Sequence, residues 1–263
     1  MAVPIPRFDF RVEFAGASDV GKVRKNNEDS WAVENALQLY VVADGMGGHS
    51  AGEVAAGLAV EAVVGFIRRS HEETDVSWPY GIDPHLSLHA NRLRTAINLA
   101  NRRVFRAAES HDDYTGMGTT VVAALIAGDH LVVGSVGDSR LYLFSSGTLV
   151  QMTRDDTWVA TIMAGNGNPE ALAHHPMRHV LTNVLGARDA TPVHMSEHPL
   201  AIGDTVLLCT DGLHGAVDDA TLSTVMREGG SAEGMADRLV RTALTKGTRD
   251  NVTALVVRFG ADA

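Results

Sequence analysis

The sequence predicts an α+β fold in which two antiparallel β-sheets pack face to face as a sandwich, with helices on both outer sides. Three observations carry this expectation. Short stretches rich in Val, Leu and Thr recur along the chain, each bounded by Gly, Asp or Asn, as strands are. Several follow one another with only a turn between, which makes antiparallel neighbours. Helical periodicity is confined to separate blocks, and two sheets with helices outside would bury the apolar faces of both.

In chain order, the first strand-like stretches are FRVEFAGAS, SWAVEN and LQLYVVAD. The apolar block AGEVAAGLAVEAVVGFIRRS then reads as a long helix. A second helix is marked by Leu93, Ile97, Ala100 and Val104, which share one helical face, with Asp83 and Pro84 at its expected start. TTVVAALIAG, HLVVGSVG, SRLYLFSSG and TLVQMT return to the strand pattern. The segment from Thr153 to Gly186 breaks it with a short helix-like piece, a GNGNP breaker and several His. It reads as an excursion beside a site, a flap around 153–186 within one domain spanning 1–263. His174, His175 and His179 have no carboxylate or thiol partner at metal-ligand spacing, so a structural or solvated role is expected. DTVLLCTD, the helices around TLSTVMREGG and EGMADRLVRTALTK, and the strand VTALVVRFG complete the chain.

Composition narrows the function. Of 263 residues, 45% are hydrophobic and 21% charged, ordinary values for a globular protein. A net charge of −10 without a basic stripe argues against nucleic acid as a partner. Arg92, Arg94, Arg102, Arg103 and Arg106 fall in one helical stretch and read as a solvated face. No apolar run approaches the roughly 20 residues that span a bilayer, and MAVPIPRFDF does not resemble a signal peptide, so no membrane partner and a cytoplasmic location are expected. The single cysteine, Cys209, excludes an intrachain disulfide and a thiol metal cage, and VLLCTD makes it a buried small hydrophobe.

The acids are the informative residues. Asp44 ends LQLYVVAD and Asp211 ends DTVLLCTD, and each is followed by Gly. Asp250 precedes Asn251 and a strand, Asp138 sits between two strands, and Glu28 and Asp29 precede SWAVEN. Singly, such acids are ordinary turn residues. Together they place carboxylates at one rim of a buried sheet, where unpaired charge is costly and neighbours raise one another's pKa unless a cation intervenes. Oxygen ligands without Cys or paired His favour Mg or Mn. Gly45 fits such a site, because a missing side chain would let a backbone carbonyl approach an ion.

Six motifs in order resemble the metal-dependent protein Ser/Thr phosphatases, type 2C, in their bacterial form. They are R-K-N-N-E-D at Arg24–Asp29, V-A-D-G-M-G-G-H at Val42–His49, G-M-G-T-T at Gly116–Thr120, V-G-D-S-R at Val136–Arg140, T-D-G-L at Thr210–Leu213 and G-T-R-D-N-V-T at Gly247–Thr253. The resemblance implies a two-metal centre at one edge of the sandwich, holding Mn2+ or Mg2+. Asp44 would bridge both ions, the Gly45 carbonyl would hold the first, and Asp211 and Asp250 the second. Glu28 and Asp29 would act near the metals, partly through waters. Asp138 would support the site from behind, and Asn251 would orient Asp250 or a water. Hydrolysis would be direct attack by a metal-bridging hydroxide on phosphoserine or phosphothreonine, without a phosphoenzyme. Arg24 matches the phosphate-holding arginine, its alternative being a surface charge. His49 matches the residue proposed to protonate the leaving alkoxide, its alternative being a hydrogen bond within its loop.

The resemblance further implies phosphorylated protein substrates, among them a Ser/Thr kinase or its targets, and a monomer. Two carboxylates that would hold a third ion are replaced by Thr115 and Gly215, so a third site is expected to be weak or absent, with Asp112 or Asp113 the nearest substitutes. The flap reads Asp155-Asp156-Thr157 where the family has D-H-S. Two other classes compete: a catalytically silent regulatory module of the same fold, and a Mg-dependent hydrolase of small phosphate esters.

Overall fold

The computed structural model describes residues 10–48, 51–72, 77–164, 175–177 and 180–261. The strands are β1 (Phe10–Asp19), β2 (Asp29–Glu34), β3 (Leu39–Met46), β4 (Gly118–Thr119), β5 (Val121–Ala127), β6 (His130–Val136), β7 (Arg140–Ser145), β8 (Thr148–Gln151), β9 (His194–Pro199), β10 (Thr205–Cys209) and β11 (Val252–Ala261). The helices are α1 (Ala51–Glu72), α2 (Leu88–Ser110), α3 (Trp158–Ala164), α4 (Asp211–His214), α5 (Asp219–Glu228) and α6 (Ala232–Lys246). One sheet runs β1-β11-β10-β7-β8; the other runs β2-β3-β5-β6-β9, with β4 paired to β3. Every pairing between named strands is antiparallel, as expected.

The central strands are apolar throughout because both of their faces are covered. In β3, Tyr40 and Val42 point between the sheets, while Leu39, Val41 and Ala43 point towards α1 and α2. In β10, Val206 and Leu208 face inward, while Leu207 and Cys209 face the layer formed by α4, α5 and α6. The period of two therefore sorts each strand into two cores, and burying each Leu contributes about 1.5–3 kcal/mol. Cys209 is fully buried and burial pushes its thiol up to about 12, which makes it the inert small hydrophobe that its context suggests.

Several boundaries differ from expectation. The second long helix begins at Leu88, capped by the Ser87 hydroxyl, which accepts from the Ala90 amide at 3.1 Å. Asp83 and Pro84 lie in the preceding turn, which Asn91 holds by accepting from the Asp83 amide and donating to its carbonyl. β9, with the sequence HMSEHP, carries no strand signature; it forms because β6 offers it an edge. Arg92 is only 3% exposed and departs from the solvated face, whereas Arg102, Arg103 and Arg106 are exposed. Among the described residues, no helix is long and apolar enough to cross a membrane.

Candidate metal centre

The acids gather where the two sheets end together. The β2–β3 register sets Asp29 directly opposite Asp44. The backbone of Asp44 is held on its other side: its amide donates to the Thr120 hydroxyl at 3.0 Å, and its carbonyl accepts from the Thr120 amide at 2.9 Å and the Thr119 hydroxyl at 2.8 Å. From the other sheet, Asp211 opens α4 with Thr210 alone between it and the end of β10, and Asp250 lies two residues before the first residue of β11. A cleft of about 220 Å³ is lined by Arg24, Glu28, Asp44, Gly45, Asp138, Asp211 and Asp250, all expected at the site, and by Met46, Gly47, Thr120 and Leu181, which sequence reasoning did not assign.

Two glycines let this end close. A Cβ on Gly45 would lie 1.9 Å from the Gly52 carbonyl oxygen of α1, and one on Gly212 would lie 1.9 Å from the Asn251 carbonyl oxygen. The missing side chain of Gly45 thus admits the first turn of α1, a steric demand separate from any ion. Gly47 is needed for the same approach, since its Cβ would meet Ala51 at 2.9 Å, whereas Gly48 meets nothing.

Electrostatics make the cluster unusual. Desolvation, with the charges of Asp211 and Asp250 adding to it, pushes the Asp29 carboxyl up to about 7. Its Oδ2 accepts from the Thr253 hydroxyl at 2.6 Å and the Thr210 hydroxyl at 2.9 Å, while its buried Oδ1 has no protein partner. Asp44 is held well above the carboxylate range by desolvation and then by Asp29, Asp211, Asp138 and Asp250. Asp138 is pushed up to about 7 by burial and by Asp211 and Asp155. Glu28 is raised mainly by desolvation, against the pull of Arg24 and the Gly52 amide.

The remaining candidates are placed as follows. Arg24 donates to Asp250 Oδ2 at 2.7 Å and is 4.0 Å from Glu28, so its first partners here are carboxylates. The Asn251 side chain is engaged by the 20–28 loop: it accepts from the Glu28 amide at 2.8 Å and donates to the Val20 and Asn26 carbonyls at 2.9 Å. Only its backbone amide reaches Asp250 Oδ1, at 2.9 Å. Its side chain therefore braces the loop that carries Glu28 rather than Asp250. His49, like His174 and His179, lies outside the described residues; His175 stacks on Trp158 with ring centroids 4.4 Å apart.

These residues fit divalent cations in chemistry. They are hard oxygen donors that raise one another's pKa, and one buried oxygen, Asp29 Oδ1, lacks a partner. They do not form a closed cage: among the described residues, no three His, Cys, Asp or Glu groups are close enough to hold an ion as they stand. Ions would have to draw the carboxylates inward or meet some of them through water.

The family model for protein phosphatase 2C matches residues 21–249, and the chain belongs to this family of protein Ser/Thr phosphatases. It is 38% identical over 246 residues to the Ser/Thr protein phosphatase PstP of Mycobacterium tuberculosis, covering 93% of this chain but 44% of that protein, so it spans less than half of that relative's length. It is 34% identical over 244 residues to the Ser/Thr phosphatase stp of Listeria welshimeri, covering 91% and 93% of the two. The crystal structure of M. tuberculosis PstP/Ppp matches with a TM-score of 0.81 at 35% identity, over 95% and 99% of the two chains. The catalytic domain of PstP in complex with two manganese ions matches with a TM-score of 0.78 at 35% identity, over 95% and 98%.

The raised carboxyls give a pH-dependent consequence. Below about pH 4 they are protonated in folded and unfolded chains alike. As pH rises towards 7 the unfolded chain releases these protons first, so the cation-free protein loses stability across that window. A divalent cation binds the ionised form and opposes the loss. The rise in Tm on adding Mn2+ is expected to be larger at pH 8 than at pH 5, measured by calorimetry against an EDTA control. An equal rise at both values would place the ions away from these carboxylates.

Proposed function

We propose that this chain hydrolyses phosphoserine and phosphothreonine in proteins, using two divalent cations, Mn2+ or Mg2+. The observation that supports this most is the convergence of Asp44, Asp211 and Asp250 from both sheets on one cleft that also holds Arg24. Asp44 would bridge the ions, the Gly45 carbonyl would hold one, Asp211 and Asp250 the other, and Glu28 and Asp29 would act alongside them. When bound, such ions supply Lewis-acid activation of water and neutralise charge on a phosphoryl group. Thr119 and Thr120 keep Asp44 in place by clamping its backbone. Thr210 and Thr253 fix one oxygen of Asp29 and leave the other buried without a protein partner.

Arg24 would take the phosphate. Its side chain is 48% exposed and sits at the cleft edge on Asp250, from which its planar fork can turn to two phosphate oxygens. His49 is assigned the proton for the leaving alkoxide. No thiol takes part, since Cys209 is buried on the helix-facing side of β10. The reading extends to a single catalytic domain, a monomeric and cytoplasmic protein, and a Ser/Thr kinase or its targets as substrates. A third ion is left without its usual support: Thr115 closes the short turn Asp112–Tyr114, Gly215 carries no side chain, and Asp112 and Asp113 are exposed.

Three measurements test this reading. Turnover of p-nitrophenyl phosphate and of a phosphothreonine peptide is expected to vanish in excess EDTA, and Asp44→Asn, Asp211→Asn or Asp250→Asn should each remove most of it while preserving the fold. Full turnover in chelator would sink the metal mechanism. Arg24→Ala should raise KM for the peptide roughly tenfold to a hundredfold, the scale of a lost charged hydrogen bond. An unchanged KM would return Arg24 to the surface. Anomalous scattering from crystals grown in low Mn2+ should show two peaks. A third at full occupancy beside Asp211 would contradict the weak third site and implicate Asp112 or Asp113.

A further inference from the structure

The excursion after β8 is tied to the cleft most extensively through one residue, Asp156. Asp156 makes hydrogen bonds to three separate parts of the molecule. Its amide donates to the Gly137 carbonyl at 2.9 Å, and its Oδ2 accepts from the Gly137 amide at 3.1 Å. Gly137 immediately precedes Asp138 of the cleft; the first of these bonds is backbone to backbone and holds the turn whatever stands at 156, and the second is the side chain's addition to it. The returning limb of the excursion is the second part: the Thr182 amide donates to the Asp156 carbonyl at 2.8 Å, and Asn183 Nδ2 donates to Oδ2 at 2.8 Å. The third is β9, where His194 Nε2 lies 2.7 Å from Asp156 Oδ1.

The neighbouring contacts extend the same clasp. Thr157 bridges to Leu181, and the Trp158 amide donates to the Val180 carbonyl at 2.8 Å. Leu181, caught between these ties, lines the cleft. Asp155 points the other way and is held by Arg140, whose Nε and Nη2 donate to it at 3.0 and 2.7 Å. The outgoing limb is therefore fixed on both of its sides. An aspartate on the outgoing limb with bonds to the returning limb, to the Asp138 turn and to a separate strand does more than close a turn, for which one or two local bonds suffice.

We infer that Asp156, with His194, is a positioning residue that fixes the limbs of the excursion and Leu181 at the cleft wall, and thereby sets how a phosphorylated polypeptide seats beside the cleft. This rests on the proposed phosphatase activity for its substrate but not for its geometry. Asp156 is not expected to touch the phosphoryl group. A small ester such as p-nitrophenyl phosphate fills only the cleft floor, whereas a polypeptide must also lie along the wall that carries Leu181. Loss of the clasp should therefore weaken polypeptide binding selectively.

The test compares Asp156→Ala and His194→Ala with the conservative Asp156→Asn and His194→Gln, which retain an acceptor for the Gly137 amide and a donor for Asp156. Hydrogen exchange is followed in each. In Asp156→Ala the amides of Gly137, Trp158 and Thr182 should lose protection, while those of β6 and β10 keep it. KM for a phosphothreonine peptide should rise about tenfold, with kcat within about threefold and KM for p-nitrophenyl phosphate within about twofold, and Asp156→Asn should restore most of the loss. His194→Ala should show the same pattern more weakly, and His194→Gln should recover it. Unchanged exchange in Asp156→Ala would overturn the clasp. Parallel losses on both substrates, or no change on either, would overturn its role in seating polypeptide. A wild-type protein inactive on both substrates would instead sink the phosphatase reading, and hydrogen exchange would still decide whether the clasp exists.

Discussion

Repulsion among buried carboxylates is the constraint around which this molecule is organised. One step of register sets Asp29 opposite Asp44, and the second sheet brings Asp211 and Asp250 to the same end. Each charge makes the next harder to ionise. The fold compensates with donors aimed at fixed points: neutral ones from Thr210 and Thr253 on Asp29 and from the Gly52 amide on Glu28, and a single cation, Arg24, on Asp250. These donors stabilise individual oxygens, but Asp44 remains well above the carboxylate range with all of them in place. A site left short of positive charge in this way is one in which cations contribute to stability as well as to chemistry.

The sandwich can carry that cost because its ends are rigid. β3 and β10 are covered on both faces, so Asp44, two residues from the end of β3, and Asp211, just beyond β10, are carried by strands with little freedom to spread apart. The threonines near the acids extend this rigidity into the site. Thr119 and Thr120 clamp Asp44, and the Thr120 hydroxyl also meets Ser139 at 2.7 Å, next to Asp138. Hydroxyls suit this position because they can donate to a carboxylate without adding to the net charge of the cluster.

Most of the fold was legible because the strands that build it are apolar on both faces or bounded by turn residues. β9 was not legible, because the sequence HMSEHP becomes a strand only through the edge offered by β6. The start of α2 differs from the expected one because Asp83 and Pro84 are good starting residues, and the competing cap, Ser87, depends on how Asn91 folds the turn before it. Arg92 reads as part of a solvated face because its neighbours in sequence are charged, but the helix turns it inward. The acids of the site were legible from their places at strand ends. The residues that hold them were not: Thr119, Thr120, Thr210 and Thr253 stood inside the motifs, but nothing in a threonine's sequence context says which carboxylate or carbonyl its hydroxyl will find. Leu181 and the Asp156 clasp lie at the root of an excursion, where distant contacts rather than periodicity decide the geometry.

The glycines beside the acids show how closely the two halves of the site approach. At Gly45 and at Gly212 a Cβ would come within 1.9 Å of a backbone oxygen from another segment, α1 in one case and the Asp250–Asn251 turn in the other. Both contacts are backbone against backbone, and a side chain cannot relieve them by changing rotamer. The glycine after Asp44 lets α1 close onto β3; the glycine after Asp211 lets the first turn of α4 close onto the start of β11. An acid followed by glycine at a strand end is thus a single device used in both sheets. The glycine sets how near the next segment can come, and that distance sets where the carboxylate stands. Replacing either glycine with alanine would move backbone by more than a side chain could absorb, and would separate the carboxylates that the strand register brings together.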